Sequence, residues 1–214
     1  MKSVTIIDYG LGNLFNLETA LRVVGAEVKV TEDPREIESA DRLILPGVGA
    51  FGPGIEVLRN KSIETAIHRF RDAGRPLLGI CLGMQLLMSE SEEDGIHRGL
   101  DLIPGKVLKF ISNQDGKMVC KVPQISWNAL MGNGQASRSW KNSILRDVPV
   151  GANMYFVHSY YVQAESAHDT IAYTQYCNQK YSSVIARENI FGVQFHPERS
   201  AADGLKILKN FLDF

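Results

Sequence analysis

The stretch LLGICLGMQLL, residues 77–87, predicts a strand, a sharp turn and the start of a helix. Residues 77–80 are apolar or glycine, as in a strand buried in a parallel sheet. The apolar residues from 82 to 88 fit the beginning of a helix. Gly79 and Gly83 flank Cys81, as in a nucleophile elbow, where glycine allows a turn with no room for a Cβ atom. Cys81 is therefore either an inert core residue or a nucleophile held above the sheet.

On either side of this stretch, the first half of the chain alternates apolar runs with helical periodicity. The predicted strands are 3–8, 27–31, 42–45 and 77–80, and the predicted helices are 14–24, 33–40, 54–73 and 82–88. This alternation predicts a mostly parallel central sheet flanked by helices. Ligands of such sheets bind beyond the carboxyl ends of the strands, and the glycine-rich turns at 10–13, 46–54 and 79–83 lie there.

The second half of the chain is richer in strands and short turns. We predict strands at 106–111, 118–122, 153–162, 170–176, 183–186 and 191–195, and a last helix at 204–211. These strands either extend the sheet or form an antiparallel layer. There is no repeat or linker, so we expect residues 1–214 to form one α/β domain.

Composition limits the function classes. The chain has 214 residues, of which 44% are hydrophobic and 22% charged, with a net charge of -1. This balance offers no electrostatic reason to expect nucleic acid or an anionic membrane as partner, and no apolar run reaches the ~20 residues of a membrane helix. The N-terminus fits a first strand better than a signal peptide. A cytoplasmic protein is the expectation.

The cysteines are odd in number and widely spaced, at Cys81, Cys120 and Cys177. We therefore expect neither a disulfide framework nor a zinc site or other metal site. Cys120 and Cys177 have no base near them in sequence and are predicted to have no chemical role.

A nucleophilic cysteine needs a base, and the histidines differ in their suitability. His68, His97 and His168 lie in an amphipathic helix or in polar loops and are expected to be solvated. His158 and His196 end apolar strands. His196 is followed by Pro197 and Glu198, and a carboxylate two residues on can orient the imidazole and stabilise its charged form.

Three motifs together resemble the class I, triad-type glutamine amidotransferases, over essentially the whole chain. They are Pro46-Gly47-Val48-Gly49, Gly79-Ile80-Cys81-Leu82-Gly83-Met84-Gln85 and Gln194-Phe195-His196-Pro197-Glu198. More narrowly, the sequence is similar to the glutaminase subunits of imidazole glycerol phosphate synthase in histidine biosynthesis. That resemblance lies in residues 8–13, 46–52, 91–93, 155–160 and 196–200. It implies a flavodoxin-like sheet with added antiparallel strands in the C-terminal half.

The resemblance implies a role for each matching residue. Cys81 would attack the amide carbon of L-glutamine, His196 would protonate the leaving ammonia, and Glu198 would hold His196. The implied oxyanion-hole residues are Val48, Gly49 and Leu82, the first two only after a peptide flip. The implied glutamine-binding residues are Gln85, Glu93, Ser159 and Tyr160. The implied partner-interface residues are Asn13, Asn16, Trp127 and Tyr155.

The family also implies a partner and no cofactor. The expected partner is a HisF-type (β/α)8-barrel cyclase, which would form a heterodimer with this chain and receive the ammonia through a channel. One segment departs from the pattern: Gln124 and Ser126 stand where these subunits usually have histidine and glycine. The segment is expected near the partner interface, which leaves open an ammonia supply for amidination of a surface-polysaccharide sugar.

Two more functions are compatible with the same residues. If Cys81 is inert, the chain would be a non-catalytic, flavodoxin-like binding subunit. A free-standing γ-glutamyl hydrolase is a further possibility. The Gly10-x-Gly12 pair is typical of a dinucleotide-binding turn, but the third glycine and the acidic residue of that motif are missing. Trp140 is either structural or partner-facing.

Overall fold

The computed structural model describes residues 2–114, 116–136 and 138–214. The strands are β1 Lys2–Ile7, β2 Ala26–Thr31, β3 Leu43–Leu45, β4 Leu77–Ile80, β5 Glu90–Ser91, β6 His97–Arg98, β7 Gly105–Lys109, β8 Asn113–Gln114, β9 Lys117–Met118, β10 Gln124–Ala129, β11 Met131–Gly132, β12 Asn153–His158, β13 Tyr160–Ala164, β14 Thr170–Tyr176, β15 Gln179–Arg187 and β16 Ile190–Val193. The helices are α1 Leu14–Val23, α2 Pro34–Ser39, α3 Phe51–Asn60, α4 Ile63–Asp72, α5 Leu82–Leu86 and α6 Ala201–Phe211.

The largest sheet in the described part of the chain has 12 strands. Ten of them follow the order β2-β1-β3-β4-β16-β15-β13-β7-β5-β6, and the other two are β14 and β11, which pair with each other. The strands from β2 to β16 are parallel. Beyond β16 the sheet continues mainly antiparallel, and β14 joins it through β15. The predicted α/β class is therefore confirmed, and most of the C-terminal strands extend the sheet. β10 and β12 form a separate antiparallel ribbon.

The inner parallel strands β1, β3, β4 and β16 are largely buried on both faces, and their side chains alternate between two cores. In β1, Ile6 belongs to the core beneath α1 and α6, whereas Ile7 belongs to the core beneath α2 to α5. In β3, Ile44 lies in the first core, between Leu43 and Leu45 of the second. Continuous apolar strands therefore follow from a sheet with helices on both sides.

Several predicted boundaries were wrong. The helix expected at 54–73 is divided into α3 and α4 by Ser62, whose φ is 59°. The strand expected at 153–162 is interrupted at Ser159, and its halves belong to different sheets. Of the strand expected at 118–122, only Met118 lies in a strand, as the second residue of β9. β10 was not predicted.

Two further expectations are corrected or decided. Cys120 and Cys177 form a disulfide with a Cα–Cα distance of 5.2 Å, although 57 residues separate them. The fold brings the segment before β10 against the turn between β14 and β15, a proximity that sequence spacing does not reveal.

Trp140 is structural, because its Nε1 donates to the carbonyl oxygen of Val148 at 2.7 Å. No helix within 2–114, 116–136 and 138–214 is long and apolar enough to cross a membrane.

Candidate active site

Cys81 lies in the turn between β4 and α5 and is 6% exposed. Its φ of 53° is rare for a residue with a side chain. The flanking glycines make the turn possible because α5 packs directly on the strand backbones. A Cβ atom at Gly83 would lie 1.8 Å from the carbonyl oxygen of Leu45, and one at Gly79 would lie 2.8 Å from the backbone of Gly83.

His196 reaches the same turn because β16 is parallel to β4, with Val193 opposite Ile80. His196 Nδ1 lies 2.9 Å from Oε1 of Glu198. Burial opposes charge on this imidazole, but hydrogen bonds and negative charges from Cys81 and Glu198 outweigh that effect. Together they raise the pKa of His196 to about 10. With Nδ1 bonded to Glu198, Nε2 is the nitrogen left for the thiol of Cys81.

Two glutamine side chains join Cys81 to the neighbouring strands. Gln194 Nε2 lies 3.9 Å from the sulfur of Cys81. Gln85 Nε2 donates both to Oε1 of Gln194 at 3.2 Å and to the carbonyl oxygen of Tyr160 at 2.9 Å. Because both N–H groups of Gln85 are used inside the protein, its Oε1 is the atom available to a ligand donor.

One pocket of about 250 Å³ contains most of the predicted site residues. It is lined by Val48, Gly49, Cys81, Leu82, Gln85, Glu93, Pro123, Val157, His158, Ser159, Tyr160 and His196. Glu198 does not line it and lies behind His196. The pocket thus brings together all the predicted oxyanion-hole and glutamine-binding residues. Pro123, Val157 and His158 were not predicted.

The predicted oxyanion donors are largely occupied by protein groups. The N–H of Leu82 donates to the carbonyl oxygen of Gly47 at 3.3 Å, and the N–H of Val48 donates to that of Leu11 at 3.3 Å. Gly49 has a φ of 105°, which suits glycine alone. The turn after β3 therefore commits the amide of Val48 to Leu11.

Glu93 stands at the far rim of the pocket, after β5. Its Oε2 accepts from the N–H of Phe51, the first residue of α3, at 2.7 Å. Burial raises the pKa of Glu93, and the bond from Phe51 partly opposes this. The carboxylate is thereby held in place with its second oxygen available to a cationic ligand group.

The four predicted interface residues lie on one exposed side of the pocket. Asn13 and Asn16 are exposed at the start of α1. Trp127 and Tyr155 are paired across β10 and β12, with ring centroids 5.9 Å apart. Exposed apolar residues lie near them, and Phe15, Ile125, Trp127 and Val48 are 77%, 61%, 52% and 43% exposed. We use the name apolar rim for these five side chains together with Asn13 and Asn16: Phe15, Val48, Ile125, Trp127 and Tyr155.

Gln124 is not at that surface. It is fully buried, and its side-chain amide lies 3.0 Å from the hydroxyl of Tyr181. The segment 123–128 was expected near a partner interface; within it, β10 alternates and directs Gln124 inward while Ile125 and Trp127 face outward. Sequence reasoning also missed Tyr181, and it named Gln194 only as part of a motif, without a role.

The three histidines His68, His97 and His168 do not line this pocket. His68 and His97 were expected to be solvated but are half-buried, and His97 packs against Gly52. His168 is exposed, with Nδ1 2.6 Å from the carbonyl oxygen of Gln135.

Comparisons with known proteins agree with this geometry. Residues 5–213 match the family model "Glutamine amidotransferase class-I". The chain is 45% identical over 212 residues to imidazole glycerol phosphate synthase subunit HisH of Chlorobaculum tepidum, covering 99% of this chain and 100% of the relative. It is 43% identical to subunit HisH 1 of Legionella pneumophila strain Paris, covering 99% of each. The structure of PurLQS from Thermotoga maritima shares the fold, with a TM-score of 0.73 at 18% identity, over 100% of this chain and 99% of that chain.

Proposed function

This chain belongs to the class I glutamine amidotransferase family, and we propose that it is the glutaminase subunit of an imidazole glycerol phosphate synthase. It hydrolyses L-glutamine to glutamate and ammonia. A cyclase subunit then uses the ammonia to make imidazole glycerol phosphate and AICAR in histidine biosynthesis. The observation that carries the proposal is the convergence of Cys81 and His196 in one pocket, with Glu198 bonded to Nδ1 of His196.

The proposed chemistry uses a thioester to divide amide hydrolysis into two steps. The thiolate of Cys81 attacks the amide carbon of glutamine, and His196 gives its proton to the leaving ammonia. Water then attacks the thioester while His196 takes its proton, and glutamate leaves as the Cys81 thiolate is expelled, which restores the starting thiolate and imidazolium. Glu198 keeps the imidazole oriented and stabilises its charged form. The raised pKa of His196 supports this assignment, since a protonated imidazole is required in the first step.

Glutamine would lie between Cys81 and Glu93. We assign the carboxylate of Glu93 and Oε1 of Gln85 to the α-ammonium group, since both can accept hydrogen bonds from a cation. The backbone at Ser159 and Tyr160 would hold the α-carboxylate. The side-chain amide then points at the sulfur.

The oxyanion hole would be completed by a change in the turn after β3. Leu82 is the first donor, and a flip of the peptide at Val48 and Gly49 supplies the second. Gly49 supports the flip, because a glycine can change φ and ψ at little steric cost. Since this turn borders the apolar rim, we propose that partner docking drives the change.

The proposed partner is a HisF-type (β/α)8-barrel cyclase that covers the apolar rim. Exposed aromatic and aliphatic groups around a polar pocket mouth fit a protein interface better than open solvent. Docking there would also enclose the ammonia as it leaves Cys81. We further propose that residues 1–214 act as one amidotransferase domain, and that the heterodimer works in the cytoplasm.

The experiment is a comparison of two nitrogen sources in the complex reconstituted with the cyclase. Cys81→Ala should abolish glutamine-dependent synthesis of imidazole glycerol phosphate and leave ammonia-dependent synthesis within about twofold of the parent complex. Size-exclusion chromatography verifies that the variant still binds the cyclase. Equal loss of both activities in an intact complex would contradict the proposal.

The second candidate pathway, amidination of a surface-polysaccharide sugar, rests on Gln124 and Ser126 as departures from the usual histidine and glycine. Gln124 is buried and Ser126 is half-buried, so neither side chain is fully exposed to a partner. Formation of AICAR by the reconstituted pair decides between the two pathways.

A further inference from the structure

A chain of buried hydrogen bonds runs behind the pocket wall. The hydroxyl of Tyr181 lies 3.0 Å from Oε1 of Gln124 and 3.4 Å from Nε2 of His158. His158 Nδ1 lies 2.8 Å from the carbonyl oxygen of Tyr160. All three side chains are buried, and Tyr181 packs edge-on against Phe156. We call Gln124, Tyr181 and His158 the buried relay.

The geometry determines which nitrogen of His158 carries the proton. A carbonyl oxygen only accepts, so Nδ1 must donate to Tyr160. Burial lowers the pKa of His158 to about 4, against a smaller opposing effect of the Tyr160 bond, so the ring is neutral. Nε2 is therefore an acceptor, and the hydroxyl of Tyr181 is its hydrogen-bond neighbour among the described residues.

Oε1 of Gln124 and Nε2 of His158 then compete for the single proton of Tyr181, and the side chain of Thr174 also bonds to this hydroxyl. A half-turn of the Gln124 amide resolves the competition without moving any heavy-atom position. Nε2 of Gln124 then donates to Tyr181, Tyr181 donates to His158, and Oε1 of Gln124 accepts from Ser126, whose Oγ lies 3.4 Å from the amide. Every buried polar group of the relay gains a suitable partner, as buried groups generally require.

The relay ends on a carbonyl that the pocket also uses. The carbonyl oxygen of Tyr160 accepts from Gln85 Nε2 at 2.9 Å as well as from His158. Gln85 in turn bonds to Gln194, whose Nε2 faces the sulfur of Cys81. A shift in the turn at 158–160 would therefore disturb both the pocket wall and Gln85.

We propose that Gln124 and Tyr181 are positioning residues for the glutamine site, acting by holding His158 as its Nδ1–H tautomer and thereby fixing the turn at Ser159 and Tyr160. Neither residue touches the substrate. The inference rests on the proposed glutaminase activity, in which this turn binds the α-carboxylate of glutamine.

The kinetic test compares Tyr181→Phe with Tyr176→Phe in the cyclase complex. Both remove one hydroxyl beside Phe110, but the Tyr176 hydroxyl bonds to the carbonyl oxygen of Lys121 and is not part of the relay. Tyr181→Phe should raise KM for glutamine at least fivefold with kcat within twofold. Tyr176→Phe should leave both within twofold. An unchanged KM in Tyr181→Phe, or equal changes in the two variants, would overturn the proposal.

A spectroscopic test detects the tautomer of His158 directly and does not depend on measuring enzyme activity. The imidazole nitrogens of ¹⁵N-histidine-labelled protein, assigned with His158→Gln, should show His158 as the neutral Nδ1–H tautomer at pH 7. An Nε2–H tautomer or an imidazolium would overturn the relay even in an active enzyme. Conversely, a parent complex that fails to hydrolyse glutamine would remove the proposed function, while this spectrum would still report on the relay.

Discussion

The backbone N–H of Leu82 donates to the carbonyl oxygen of Gly47 at 3.3 Å. Leu82 directly follows Cys81, so this N–H is the group that a tetrahedral intermediate on the sulfur would need. The carbonyl of Gly47 thus takes the place of an oxyanion. Attack on glutamine would leave a negative charge without its donors until the turn after β3 changes.

We therefore expect the isolated chain to be a slow glutaminase. Loss of one oxyanion donor typically lowers kcat by about 10²–10³-fold. Adding the cyclase should raise kcat for glutamine hydrolysis at least 100-fold, measured as glutamate formed, with the Cys81→Ala complex as background. Full activity in the isolated chain would show that the occupied donor does not limit turnover.

The Glu198 carboxylate should matter for kcat more than for KM. In Glu198→Gln the amide can present an N–H to Nδ1 of His196 and so move the imidazole proton to the wrong nitrogen. We expect kcat of the complex to fall about 10²–10⁴-fold with KM nearly unchanged. Glu165→Gln, at an exposed site, is the control and should behave as the parent. A fall of less than tenfold would separate Glu198 from the chemistry.

The parts of the fold that sequence predicted well are those governed by local pattern. The strand at 77–80 and the strand at 170–176 have the predicted bounds, because continuous apolar or β-branched runs between turns leave few other conformations. The turn at Cys81 was also predictable, because its two glycines are required by backbone contacts. The break at Ser62 in the helix expected at 54–73 was not predicted, because a serine gives no sequence signal for a positive φ.

The parts that could not be predicted depend on contacts between distant segments. The disulfide joins residues 57 positions apart, and β10 pairs with β12 across a long connection. The inward direction of Gln124 depends on that pairing, since a shift of one residue would turn Gln124 outward. The residues that the family resemblance implies for the oxyanion hole and for glutamine binding line one pocket with Cys81 and His196, but the resemblance gave no sign that Gln124 is buried.

Glu93 should control glutamine affinity. Glu93→Gln removes the charge opposite the α-ammonium group while an amide oxygen can still accept from Phe51. We expect KM for glutamine to rise at least tenfold and ammonia-dependent synthesis to be unaffected. The exposed neighbour Glu92 provides the matched control, Glu92→Gln, which should alter KM less than twofold. Similar KM values in the two variants would exclude Glu93 from glutamine binding.

Gly83 should be essential for folding, whereas a glycine in open space should not. A Cβ at Gly83 would overlap the carbonyl oxygen of Leu45 at 1.8 Å, and backbone on both sides would have to move. Gly134 has nothing within 4 Å of such a Cβ. By urea unfolding, Gly83→Ala should lose about 3 kcal/mol or more, as for severe overpacking, and Gly134→Ala less than about 0.5 kcal/mol. Equal stabilities would contradict the close packing of α5 on β3.

His158 should make stability depend on pH in a defined window. Burial lowers its pKa from 6.5 to about 4 in the folded protein, and the charge of His196 acts in the same direction, against the Tyr160 bond. Between these values the unfolded chain binds one more proton than the folded one, so stability rises with pH there. The stability that the neutral His158 contributes is lost as pH falls from about 6.5 towards 4, by about 1.4 kcal/mol per pH unit and about 3 kcal/mol in all.

Urea unfolding at pH 4.5, 5.5, 6.5 and 7.5 can isolate this contribution. The parent and His158→Gln share every other titrating group, so the difference between their unfolding free energies should change with pH by roughly that slope below pH 6.5 and stay constant above it. His68→Gln, on the outer helix α4, should retain the pH dependence of the parent. A constant difference between the parent and His158→Gln across the window would mean that His158 titrates normally, and a charged His158 could not accept from Tyr181 at Nε2 as the buried relay requires.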